Sequence, residues 1–220
     1  MRRTTSALSR LTLLGLILLV SGCATIYTDP EFDRLRLEHH YIAIIPFNVS
    51  INPEHQGGDV TEEELASLEK EQGETLQRAM YAQFLQGQQR GHYTVQFQDV
   101  DETNTLLTRE LEFHPTRRVL SALTKSEICE ILKVDAVISG DMYLNKPMGK
   151  GMAIASSLLL GVGAATNEAH ISMSIHESES GRLLWNYEHV AKGGLLSSAQ
   201  SVAKDVIKGV RRSFPYKKSN

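Results

Sequence analysis

The apolar run YIAIIPF at residues 41–47 decides the fold of this 220-residue chain. A short, continuous apolar run is typical of a strand that is buried on both faces of a sheet. Pro46 has no backbone N–H to give to a ladder, so it restricts this strand to a sheet edge or ends it. A polar loop over 48–59 follows, and then a capping box with Thr61 as the cap and Glu64 three residues later. The stretch therefore predicts a buried strand followed by a helix.

Strand and helix patterns continue to alternate on the carboxyl side of this unit. Residues 93–98 alternate apolar and polar side chains, which indicates a half-buried strand. A short helix over 101–111 follows, and then a second capping box at Thr124 and Glu127. The helix that it starts leads directly into an apolar strand candidate at 134–144. The order β-α-β-α-α-β favours a layered α/β sheet.

The last third of the chain predicts a β-hairpin and a final helix. Apolar and polar side chains alternate over 169–176 and again over 183–189, on either side of a turn at 178–181. This alternation gives the hairpin one core face and one solvated face. Ser197 or Ser198 then caps a helix with apolar residues along one side.

Together these elements predict an α/β (α+β) fold, a mixed β-sheet with packed helices, the carboxy-terminal hairpin and the final helix. A single domain over 41–214 contains them. The flanking residues are polar, so 23–40 is interpreted as a tether and 215–220 as a basic tail. A domain of this size buries most of its apolar surface in one core.

Charge excludes one class of partner. The chain has 23 Lys and Arg residues against 26 Asp and Glu residues, for a net charge of −3. Three of those arginines lie within residues 1–22, which contain no acid, so the remainder has 20 basic against 26 acidic residues, a charge of −6. An acidic domain has no basic footprint for nucleic acid. The two cysteines do not make a disulfide framework.

The amino terminus predicts export and lipidation. Arg2, Arg3 and Arg10 form a positive region, and residues 11–20 form an apolar segment that suits a secretory signal but is too short to span a membrane. The sequence VSGC at 20–23 resembles a bacterial lipobox. That resemblance implies a lipoprotein signal peptide at 1–22, cleavage between Gly22 and Cys23, and acylation (palmitate) of Cys23, which anchors the chain to the membrane. Ala24 in place of Asp implies the outer membrane, facing the periplasm. The alternative is an ordinary signal peptide with a chance cysteine.

The residues that carry chemistry do not form a catalytic or metal-binding pattern. His170 and His176 share a strand face but lie six residues apart, roughly 20 Å along an extended chain, which is too far to chelate one ion. No HExxH, CxxC, EF-hand or GxSxG motif is present. Cys129 is interpreted as a buried, inert thiol rather than a nucleophile. We therefore expect no enzyme activity, no metal and no cofactor.

One segment stands apart in composition. Residues 151–167 (GMAIASSLLLGVGAATN) carry no charge and are rich in Gly, Ala and Leu. Three interpretations remain open, namely a buried core helix, an insertion that touches lipid or another subunit, and a spanning helix. Small residues permit close backbone packing, which suits the second interpretation. Its contact residues would be Met152, Ile154, Leu158, Leu159, Leu160 and Val162.

Three short motifs inside the domain carry a resemblance to a known group of proteins. They are IIPF at 44–47, VDAVISG at 134–140 and SGRLLW at 180–185. With the lipobox, the pattern resembles periplasmic assembly lipoproteins: the curli-secretion-channel family, exopolysaccharide-export lipoproteins and activators of penicillin-binding proteins. The resemblance covers about 41–214. It implies a domain like the amino-terminal domain of TolB, without catalytic residues, that works as a ring or as the partner of an envelope machine.

The sequence thus leads to one functional hypothesis and two alternatives. The leading hypothesis is a non-catalytic, membrane-anchored lipoprotein that supports envelope assembly or transport by self-association or partner binding, through the sheet edge and residues 151–167. One alternative is a periplasmic hydrolase or sugar-binding module that uses His170, His176 and Trp185 in a cleft. The other is a regulator of a cell-wall synthase, which differs from the leading hypothesis only in its partner.

Overall fold

The computed structural model describes residues 25–52, 61–111, 117–144, 168–192, 198–211 and 213–218. The predicted signal peptide at 1–22, the predicted lipidation site Cys23 and the uncharged segment 151–167 lie outside these ranges. All statements on structure below concern the described ranges.

The chain forms a mixed sheet with packed helices, as the sequence predicts, and the helices lie on both faces. The strands are β1 (Thr25–Thr28), β2 (Tyr41–Ile44), β3 (Asn48–Ile51), β4 (Gln96–Phe97), β5 (Ala136–Leu144), β6 (Glu168–Glu177) and β7 (Leu183–Lys192). The helices are α1 (Phe32–Leu35), α2 (Glu62–Gln89), α3 (Val100–Leu111), α4 (Arg117–Leu120), α5 (Lys125–Leu132) and α6 (Ala199–Val210). The strand order is β1-β7-β6-β5-β2-β4, and β3 also pairs with β5. The pairs among β2, β3, β4 and β5 are parallel, and those from β5 through β6 and β7 to β1 are antiparallel.

Strand β2 is buried on both faces, as its apolar run predicts. Ile42 and Ile44 pack into the larger core cluster together with residues of α2 and α6. Ala43 and Ile45 point the other way, into a second cluster under α3, α4 and α5. Pro46 ends the strand, which confirms the second of its two predicted roles.

The predicted loop at 48–59 contains a strand. Beyond Pro46 the chain returns to the same neighbour, because β3 pairs with β5 from Asn48 opposite Asp141 onward. Val49 and Ile51 are buried while Asn48 and Ser50 are only half-buried, so the strand has one core side. The alternation of polar and apolar residues over 48–51 is only four residues long and polar residues follow it, so the sequence pattern indicated a loop.

The predicted helix starts are confirmed by their hydrogen bonds. At α2 the Thr61 hydroxyl accepts from the Glu64 N–H at 3.2 Å, and the Glu64 carboxylate accepts from the Thr61 N–H at 2.9 Å. Thr124 and Glu127 form the same reciprocal pair at α5. Each pair satisfies backbone donors that have no partner inside the helix. At α6 the Ser198 hydroxyl accepts from the Ser201 N–H at 3.2 Å, and the other candidate cap, Ser197, lies outside the described residues.

The amino-terminal residues 25–40 are part of the domain, which differs from the tether expected over 23–40. Strand β1 pairs antiparallel with β7, with Thr28 opposite Trp185. Phe32 and Leu35 of α1 are buried, and the Phe32 ring meets the Tyr216 ring at 5.4 Å. The side chains of β1 are all exposed, so backbone pairing holds this strand and leaves no apolar pattern in the sequence.

The carboxyl end also packs more tightly than expected. Helix α6 ends at Val210, and Phe214 and Tyr216 beyond it are buried in the core. Tyr93 pairs with Lys217 of this end in an isolated bridge. Of the half-buried strand predicted at 93–98, residues 96–97 belong to the sheet, as β4. The predicted basic tail therefore contributes Tyr216 to the core before its lysines reach the surface.

Candidate functional site

The solvated face of the sheet carries a continuous set of polar side chains. Cross-strand register brings them together: Ser139 lies opposite Ser174, Asp141 opposite Ser172 and Tyr143 opposite His170. We call this the polar sheet face; it consists of Ser139, Asp141, Tyr143, His170, Ser172, Ser174, His176, Asn186 and Glu188. The alternate residues of β5 and β6, such as Ile138 and Ile175, are buried in the core on the opposite face. This is the one-wet-face hairpin that the alternation predicts.

A cavity of about 880 Å³ lies at one end of the polar sheet face. It opens where β2 ends and the chain passes through Pro46, with α2, α4 and α5 around it. Its apolar wall is formed by Ile45, Pro46, Phe47, Val49, Leu120 and Leu183. Its polar wall includes Lys125, Ser139, Asp141, Ser174 and His176. The carboxyl ends of parallel strands are a common place for ligand sites in open α/β sheets.

A shallower depression of about 410 Å³ lies on the same sheet face. Tyr143, His170 and Glu188 line it, and Asp141 lines both this depression and the larger cavity. The polar sheet face thus connects the two concavities.

The electrostatics of the larger cavity centre on Lys125. Burial lowers the pKa of its ammonium group, and the nearby Asp141 carboxylate acts in the opposite direction. Asp141 itself accepts a hydrogen bond from the Asn48 amide at 2.6 Å and a long one from the Ser172 hydroxyl at 3.5 Å. Lys125 remains a half-buried cation on the cavity wall.

His176 is the second polar group on this wall. Burial and the positive charge of Lys125 lower the pKa of His176 to about 4, against the opposing effect of Asp141. Its Nδ1 atom is inaccessible to solvent and makes no hydrogen bond within the described chain. The imidazole is therefore neutral at pH 7.

The alternative site formed by His170, His176 and Trp185 does not assemble. His176 lines the larger cavity and His170 the shallower depression. Trp185 lies opposite Ile175 on the core face of the sheet, fully buried and stacked on Tyr187 at 6.0 Å between ring centroids. Trp185 is in phase with Tyr187 on the core face, so it does not share a cleft with the two histidines, and the hydrolase or sugar-binding hypothesis loses its site.

Cys129 agrees with its interpretation as a buried, inert thiol. Cys129 is buried in the second core cluster, and burial raises its pKa to about 12, so it is a thiol and not a nucleophilic thiolate. Among the residues that the structure describes, no group of three or more His, Cys, Asp and Glu side chains is placed to hold a metal ion. None of the described helices is long and apolar enough to cross a membrane.

The structure adds two residues that sequence reasoning did not single out, Lys125 and Asp141. A usable signal for Asp141 was that it is the one charged residue in the apolar stretch 136–144. Lys125 gave no such signal, since a lysine after a helix cap is ordinarily solvated. The remaining predicted site residues lie outside the described chain: Gly22, Cys23, Met152, Ile154, Leu158, Leu159, Leu160 and Val162.

No protein-family model matches the sequence, and no curated protein matches it. Some solved structures are similar to this chain, each at a TM-score below 0.5. A PelC dodecamer from Paraburkholderia phytofirmans is similar at a TM-score of 0.42 and 12% identity, over 90% of this chain and 100% of that one. Lipoprotein GNA1162 from Neisseria meningitidis is similar at 0.40 and 12%, over 79% and 98%. The LpoB carboxy-terminal domain from Salmonella enterica is similar at 0.36 and 10%, over 74% and 93%. The three are among the proteins of the group that the sequence motifs resemble. At such TM-scores and identities the likeness assigns no function.

Proposed function

We propose that this protein is a non-catalytic lipoprotein of the bacterial envelope that supports assembly or transport by binding a partner protein or copies of itself. Acylated Cys23 anchors it, and Ala24 directs it to the outer membrane with the domain facing the periplasm. The uncharged segment 151–167 supplies a further contact with lipid or with another subunit. The lipobox and the cationic, apolar leader support the anchoring, and the lack of a catalytic pattern in the sequence supports a binding role.

The observation that carries the proposal is the exposed edge of the sheet beside the polar sheet face. Strand β1 pairs only with β7, so within the described chain its outer backbone edge faces no other strand. Ile26 and Tyr27 of this strand are 46% and 45% exposed, and Tyr143 on the neighbouring face is 45% exposed. Unpaired strand edges are templates for another strand, and exposed apolar groups at such an edge mark interaction surfaces.

In-cell photo-crosslinking tests the binding role. A photoreactive phenylalanine analogue replaces Tyr27 or Tyr143 in the full-length chain, and the same analogue at Gln86, exposed on α2, is the matched control. We expect crosslinked species from positions 27 and 143 and none from 86. Mass spectrometry of the crosslinked band then distinguishes a second copy of this chain from a different envelope protein. Equal crosslinking at all three positions contradicts a specific surface.

Metabolic labelling tests the anchor separately. Cells that express the chain with a clickable palmitate analogue should label it, and the Cys23→Ser chain should stay unlabelled and leave the membrane fraction. Label on the Cys23→Ser chain, or none on the natural one, refutes acylation at this residue.

The contribution of 151–167 has its own measurement. We expect deletion of this segment to lower the mass found by size-exclusion light scattering. A monomer both with and without the segment excludes it as an oligomer contact.

A further inference from the structure

We propose that the 880 Å³ cavity at the end of β2 binds a small organic carboxylate with an apolar body. This inference is independent of the proposed partner binding, because the cavity and the β1 edge are different places in the fold. The volume lies within the range of about 300–1,000 Å³ that is usual for small-molecule sites.

Among the charged side chains of the cavity wall, one cation has the Asp141 carboxylate nearby but no hydrogen-bonded partner within the described chain. Four charged residues line the cavity, and three of them are partnered within the chain. Lys70 lies 3.8 Å from Glu74, Glu69 accepts from the Ile51 N–H at 2.9 Å, and Asp141 accepts from Asn48 at 2.6 Å. The fourth, Lys125, makes no hydrogen bond or ion pair within the described chain, although it is half-buried. A partly desolvated ammonium without a hydrogen-bonded anion favours an anionic ligand.

The imidazole of His176 also lacks a hydrogen-bond partner at one of its ring nitrogens within the described chain. Its buried Nδ1 makes no hydrogen bond to any residue that the structure describes, and His176 lines the same cavity as Lys125. Buried polar atoms in proteins are normally paired, so each exception requires a reason. A ligand carboxylate in the cavity contacts Lys125 directly, and it reaches His176 Nδ1, which is inaccessible to solvent, only when the imidazole ring turns toward the cavity.

The apolar wall of the cavity favours an apolar body on the ligand. Ile45, Phe47, Val49, Leu120 and Leu183 present apolar surface to the cavity. Burying an apolar group there is favourable at about 25 cal/mol for each Å² removed from water. An apolar wall facing a half-buried ammonium group matches a molecule with one apolar end and one carboxylate.

Two sources supply this chemistry, a free fatty acid and the carboxyl terminus of a peptide. Isothermal titration calorimetry on the purified full-length chain compares them with octanoate and with acetyl-leucyl-phenylalanine. Octanamide and acetyl-leucyl-phenylalaninamide are the uncharged controls of the same shape. We expect one acid to bind with one-to-one stoichiometry, at least about tenfold more tightly than its amide, since a hydrogen bond to a charged group is worth more than one between neutral groups. The acid that binds more tightly identifies the source.

Variants assign the binding to this cavity. Lys125→Met should weaken the acid about tenfold and leave the affinity of the amide unchanged within twofold. Lys204→Met, at an exposed lysine on α6, is the matched control and should change neither. Failure of both acids to bind, equal affinity for acid and amide, or an unchanged acid affinity in Lys125→Met overturns the proposal.

A measurement on the unsubstituted chain keeps the test valid if Lys125→Met does not fold. Saturation with the tighter acid should shift the ring resonances of His176. Those of His189, which contacts Asp205 at 2.7 Å on the opposite side of the sheet, should not move. Unmoved His176 resonances at saturation also overturn the proposal.

Discussion

Replacing Gly73 with alanine should destabilise the protein, although the same change stabilises most helices. Gly73 lies inside α2, where glycine costs about 1 kcal/mol relative to alanine. Here a Cβ atom at position 73 would lie 2.1 Å from the carbonyl oxygen of Phe47. Ordinary contact begins at 3.4 Å, so α2 and the segment after β2 would have to separate by about 1.3 Å. Because the obstacle is backbone, no side-chain rotation relieves it.

The net effect follows from three contributions. Overpacking of this kind costs roughly 1–3 kcal/mol. The separation also stretches the buried hydrogen bond from the Gln77 side chain to the Ile44 carbonyl, now 2.7 Å, at a cost of about 1 kcal/mol. The helix-propensity gain returns about 1 kcal/mol. We therefore expect Gly73→Ala to lower the free energy of unfolding by about 2 kcal/mol, a Tm decrease of roughly 4–8 °C.

Urea and thermal denaturation followed by far-ultraviolet circular dichroism measure this change. Ser67→Ala, at an exposed position on the same helix, is the matched control and should stabilise by about 0.5 kcal/mol or less. A Gly73→Ala chain as stable as the Ser67→Ala chain refutes the close approach of α2 to Phe47.

Four further outcomes follow from the described contacts. Cys129 in a Cys23→Ser chain should not react with a thiol reagent at neutral pH until urea unfolds the protein, because burial raises its pKa to about 12; rapid reaction in the native state contradicts this. The folded pKa of His176 is lowered to about 4 from 6.5, so the folded state binds fewer protons, and the free energy of unfolding should fall as the pH drops from 6.5 toward 4. His176→Phe should flatten that dependence in a pH series of urea titrations, and an unchanged slope argues against it. Trp185, the one tryptophan in the sequence, should have a blue-shifted fluorescence maximum and resist quenching by acrylamide; an indole that acrylamide quenches readily contradicts its burial on the core face. Thr124→Ala should cost about 1 kcal/mol of stability while Thr124→Ser costs less, and equal costs would show that the hydroxyl cap is not the cause.

Local signals in the sequence located the elements whose stability is local. The capping boxes at Thr61 and Thr124 set the starts of α2 and α5, because the hydrogen bonds of a cap reach only three residues along the chain. The period-two alternation of the hairpin located both β6 and β7, and Gly181, at φ +68°, supplies the left-handed residue of its turn. In each case the pattern and the contact that it reports lie within the same short stretch.

Contacts between distant residues could not be predicted in this way. Strand β1 depends on β7, some 160 residues away, and none of its side chains is buried, so its four residues resembled a solvated tether. The candidate cavity has the same property. Lys125 begins a helix, Asp141 lies within one strand and His176 within another, and only the antiparallel pairing of β5 with β6 brings the last two to one wall. Each residue alone is ordinary, and the half-buried cation on an apolar cavity exists only in the folded arrangement.

The position of β1 also changes what a lipid on Cys23 would do. A tether over 23–40 would let the domain move up to about 60 Å from its anchor. Because β1 begins at Thr25, the two steps from Cys23 span at most about 7 Å. If Cys23 is acylated, as the sequence predicts, the exposed side chains of Ile26 and Tyr27 are held at the membrane surface rather than in the open periplasm. A partner that pairs with this edge must then reach it along the same membrane, which favours another membrane-bound protein, or a second anchored copy of this chain, over a freely diffusing one.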